Sequence, residues 1–157
     1  MDRQAMNGAG LMQRLIECIL AVLGALLCTA GAIGFWQHAH RSSPYASVWP
    51  LPALVLIEWL LLGIVGAIAA MADRQSARSV WTTTRWIVCG ALFGLLILGG
   101  FSIGPVVLLA ALAFLGAAIL TDYRYQRTGG AQVGLLTAGT IGNIGLLLTL
   151  ISLVHVS

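Results

Sequence analysis

Charge is what this sequence has least of. Only 8% of its 157 residues are charged, none of them is lysine, and residues 86–121 run for thirty-six positions without one Asp, Glu, Lys, Arg or His. Soluble domains carry roughly a quarter charged residues, so water is not the main solvent of this chain. Long polar segments are missing too: the longest, residues 1–13, 37–49 and 73–85, hold thirteen residues each, which leaves no room for a soluble domain. The eight basic residues are scattered arginines and the net charge is only +3, so nucleic acid is excluded as a partner for want of a basic stripe. The three cysteines, Cys18, Cys28 and Cys89, stand alone in apolar stretches with no CxxC spacing. They read as buried free thiols, not as a disulfide or metal framework.

Catalytic signatures are absent as well. There is no GxSxG elbow, no HExxH, no Walker loop and no GxGxxG after a strand, which argues against conventional hydrolases and nucleotide enzymes. Haem held between helices needs histidines within spans, and all three histidines lie at span ends or beyond. No catalytic residue is assigned, and the residues name no cofactor.

What is present is apolar length. A helix rises about 1.5 Å per residue, so residues 86–121 would make a rod of ~54 Å against a hydrocarbon core of ~30 Å. One helix is too long, and Gly99, Gly100, Gly104 and Pro105 interrupt the run at its middle, with Ser102 placed to cap a new N-terminus. The same reasoning gives five spans, at about 15–36, 50–71, 80–99, 103–121 and 131–154. Residues 1–13 are expected to lie loosely at the surface, and residues 37–49 and 73–85 to form loops. Pro50 and Pro52 stand where the first turn of a helix accepts proline. A cleaved leader is the competing reading of the first span, since Ala30-Gly31-Ala32 has a small-x-small form, but the apolar run continues past it to Trp36. The fold class is therefore all-α, a polytopic integral-membrane bundle of five helices forming a single membrane domain.

Charge asymmetry supports the count. With five spans, Arg3, Arg14, Arg74, Arg78, Arg85, Arg124 and Arg127 share one side and Arg41 alone is opposite, seven against one. The positive-inside rule then puts the N-terminus in the cytoplasm and the C-terminus outside. Short loops without glycan acceptor sites fit a bacterial inner membrane.

Lipid tails supply no hydrophobic drive between helices, so small residues mark close approach. Gly63 with Ala67 in the second span, Gly90 and Gly94 in the third, and Gly134, Ala138 and Gly142 in the fifth have that spacing. They are the candidate packing positions, for this bundle or for partner helices in a hetero-complex or homo-oligomer.

Glu58 is the sharpest feature, because an ionisable group within a span is a functional-site candidate by default. Eight residues from Pro50 place it ~12 Å below one boundary, and Asn143, eleven residues from Gln132, rises ~16 Å from the other, so the two reach similar depth. The ordinary reading is a neutral carboxyl held by Asn143, Thr140 or a backbone carbonyl; the sharper one is a proton or cation site. His38 and His40 form a weak metal candidate, short of the four ligands of a zinc site unless Glu58 and His155 join them. Glu17, three residues after Arg14, is expected to make a local helical ion pair. Three functions follow, in order: an accessory or structural subunit packing against helices of a larger membrane complex; a small oligomeric proton-coupled transporter or channel-like protein using Glu58; and a membrane enzyme or quinone-binding protein with His38, His40 and Glu58 near the outer face.

Overall fold

The computed structural model describes residues 3–42, 51–72, 78–99, 104–124 and 130–156. They form five helices and, among the described residues, no strand: α1 (Arg3–Ser42), α2 (Leu51–Met71), α3 (Arg78–Gly99), α4 (Gly104–Arg124) and α5 (Gly130–Val156). Each contains a stretch long and apolar enough to cross a bilayer, the shortest being Ala53–Met71 and Val80–Leu98 at 19 residues. This is an all-α, multi-pass membrane protein.

Helix limits follow local chemistry. Pro52 and Pro105 occupy first turns, where their missing N–H groups cost nothing, and α3 stops at Gly99. The break in the 86–121 run thus falls between Gly99 and Gly104; Gly100 and Ser102 lie outside the described residues. Two expected loops are shorter than their composition implies. Residues from Arg3 onward are already helical in α1, which also continues through His38 and His40 to Ser42, and α3 begins at Arg78, so Arg85 belongs to a helix. Both extensions add turns without Pro or paired Gly to stop them.

Sequential helices alternate in direction, and the contacts that show it are made by small residues. Gly31 of α1 lies against the Trp59 ring of α2 and Gly63 of α2 against Cys28 of α1. Gly24 and Gly66 flank the ring of Phe114 in α4, which therefore sits in a slot opened by two glycines. Cys28, Trp59, Leu92, Leu95, Val107 and Phe114 lead a core drawn mostly from α1 to α4, with Leu147 added from α5. α5 stands at the side, packed chiefly on α3 and barely touching α2. The pairs Ile87 with Gly139, Gly90 with Thr140 and Gly94 with Asn143 run in the same sense along both helices, so α3 and α5 are parallel.

Candidate functional site

Because α5 leans on α3 and leaves α2, an apolar groove opens between α2 and α5 with α3 as its floor. It consists of two adjoining recesses of about 430 and 420 Å³. Glu58, Leu62, Ile87 and Leu146 line both; Leu54 and Leu150 lie toward one end and Ala138 and Gly139 further along α5. Glu58 is the one titratable side chain among the lining residues. Its side chain is half-buried, and its Oε2 is removed from solvent without a hydrogen-bond partner.

Asn143 lines the same groove, yet it does not hold the carboxyl. Its Nδ2 donates to the Ala91 carbonyl, and the Thr140 hydroxyl donates to the carbonyls of Gly90 and Leu136, each at 3.0 Å. The cause is the close approach of α3 and α5. A Cβ on Gly90 would meet the Leu136 carbonyl and lie 2.9 Å from the Thr140 nitrogen, and one on Gly139 would lie 2.5 Å from the Ile87 carbonyl. Backbone so near offers Asn143 and Thr140 acceptors across the interface before Glu58 comes within reach.

The remaining candidates are dispersed. No residue of α1 lines the groove, so His38 and His40 are not gathered with Glu58. Two residues apart on a helix, the histidines point roughly 200° apart around its axis, and His40 stacks on Trp36 with ring centroids 5.0 Å apart. Among the described residues no cluster of three His, Cys, Asp or Glu could hold a metal. Gly134 and Gly142 have nothing within 4 Å of a built Cβ; Gly142 borders the groove.

A second polar assembly was not legible as a site. Six of the seven buried polar residues among those described, Glu17, Thr82, Arg85, Thr121, Asp122 and Gln132, lie at the end of the bundle where α2 and α4 finish and α3 and α5 begin. Arg85, 6% exposed, donates from Nε and Nη2 to the Ala69 carbonyl, from Nη2 to Ala70 and from Nη1 to the Thr121 hydroxyl. The last carbonyls of α2 have no intrahelical partner, and this guanidinium supplies one while tying α2 to α3 and α4. Beside it the Trp86 indole N–H donates to Asp122 Oδ2 at 2.8 Å. The Gln13 amide reaches the Leu120 carbonyl at 3.0 Å, joining α1 to α4. Glu17 is buried, while Arg14, three residues before it, is exposed. The signal that could have found Arg85 is its depth: seven residues into α3, it reaches the level of the final turn of α2.

Compared with models of protein families, with curated proteins and with solved structures, the chain finds no match. Its function is argued from these two assemblies and from the faces the bundle leaves open.

Proposed function

We propose that the chain is an accessory or structural subunit that packs against helices of a larger integral-membrane complex, in a bacterial inner membrane. The observation behind this reading is the exposure of α5. Only 11% of its span is buried within the chain, against 56% for α3. Gly134 and Gly145 leave open space beside them. Glycine is a poor choice for a surface that meets only lipid, since it forgoes side-chain contacts, whereas it permits another backbone to come close. Purification of the full chain in mild detergent from its native membrane, with the mass of the intact particle measured, tests the proposal. A stoichiometric membrane polypeptide of different sequence is expected, lost in Gly134→Leu or Gly145→Leu while the fold is retained. Recovery as a lone monomer or homo-oligomer overturns it.

A second reading, a small oligomeric transporter, is favoured by Glu58 in its groove. Glu58→Gln separates the two: normal assembly with abolished proton-dependent transport supports the transporter, and normal assembly with normal complex activity supports the subunit.

A further inference from the structure

We infer that the groove between α2, α3 and α5 is a binding site for an amphiphilic cation, a small molecule whose apolar body fills the recesses and whose positive charge pairs with Glu58. Size comes first. Small-molecule sites usually measure ~300–1,000 Å³, and each recess, at about 430 and 420 Å³, falls in that range.

Chemistry then selects the ligand. A purely apolar molecule gains little by leaving the bilayer for this groove, because lipid tails are as apolar as its leucines. Discrimination must come from its polar groups. The hydroxyl of Thr84 donates to the Val80 carbonyl and the amide of Asn143 to Ala91, so both are already engaged with backbone. Glu58 is not: its buried oxygen has no partner, and among the described residues no cationic side chain lines the groove. An anion would be repelled by an ionised carboxylate, whereas a cation gains a charge-assisted contact in a setting of low dielectric, where such a contact is strongest. The groove opens sideways between α2 and α5, so a molecule that partitions into the membrane has direct access. The inference concerns the isolated chain and does not depend on the subunit reading.

The test uses the full chain in nanodiscs of zwitterionic lipid, with equilibrium binding of two labelled probes, tetraphenylphosphonium and dodecyltrimethylammonium, which have rigid aryl and flexible alkyl bodies. Saturable binding of at least one probe at one site per chain is expected, with no competition from the neutral tetraphenylmethane. Glu58→Gln should weaken it by about tenfold or more, as loss of a hydrogen-bonded or paired charge does. Gly142→Leu, which fills one recess from an open position and leaves the carboxyl in place, should also weaken it; unchanged gel-filtration and melting profiles show that each variant is folded. Binding of both probes no greater than to empty nanodiscs, equal affinity in Glu58→Gln, or equal competition by tetraphenylmethane overturns the inference.

Discussion

Arg85 and Asn143 both hydrogen-bond to backbone carbonyls of another helix, but they are not equivalent. Asn143 makes one neutral bond to Ala91, of a kind that averages only ~0.6 kcal/mol between membrane helices. Asn143→Ala should therefore lower stability by less than about 1 kcal/mol, read as a small shift in the detergent melting temperature; a loss several times larger would show that the interface depends on it. Arg85 instead serves carbonyls at the end of α2 and a hydroxyl on α4 from one planar fork. Replacing it leaves several buried acceptors without donors, about 1–3 kcal/mol for each one stranded. Arg85→Gln should lower the melting temperature well beyond the Asn143 variant, and Arg85→Lys should not restore it, because a point charge cannot reproduce the fork. Full rescue by lysine would mean that charge alone matters there.

At the scale of elements, the α3 and α5 pair is set by glycine. Gly90 and Gly139 face backbone, which cannot move aside as a flexible side chain can. Gly90→Ala and Gly139→Ala should each cost about 1–3 kcal/mol by forcing the helices apart, visible as lowered unfolding midpoints and as loosening of Asn143 from Ala91. Gly134→Ala, facing open space on the same helix, should leave the isolated chain unchanged. If the Gly90 and Gly134 variants behave alike, the parallel α3 and α5 contact is not the one described. This contrast also marks what could be read beforehand. Spacing identifies glycines that permit close approach, and Gly90, Gly94, Gly134 and Gly142 share that spacing. It does not say which face a helix turns inward, since α5 is apolar nearly all round and lipid and protein interior make the same demand on most of its side chains. Gly139, which lies nearest to α3 backbone, has no such distinction in sequence.

For the whole molecule, five spans were legible because length and charge act independently: apolar runs had to match the bilayer, and the arginines had to sort by side. Contacts among helices were not, because hydropathy cannot rank apolar faces and the groove at Glu58 arises only from how α5 leans. Arg85 shows the limit of counting charges, since it is buried against helix ends and is no free loop residue. The expected asymmetry does not depend on it: by the five-span count Arg3, Arg14, Arg74, Arg78, Arg124 and Arg127 would still share one side, with Arg41 opposite. The structure adds a constraint on parity. α3 and α5 run parallel, so α4 returns between them, and the end of α5 lies opposite the start of α3. The orientation we propose rests on the positive-inside rule, which would put the start of α3 on the cytoplasmic side. Reporter fusions at Ser76, Thr128 and Ser157, positions outside the described residues, should read cytoplasmic, cytoplasmic and external. Reversal of all three would keep the five-span bundle and refute its orientation; a cytoplasmic signal at Ser157 together with one at Ser76 would contradict the parallel pairing of α3 and α5, and with it the groove that holds Glu58.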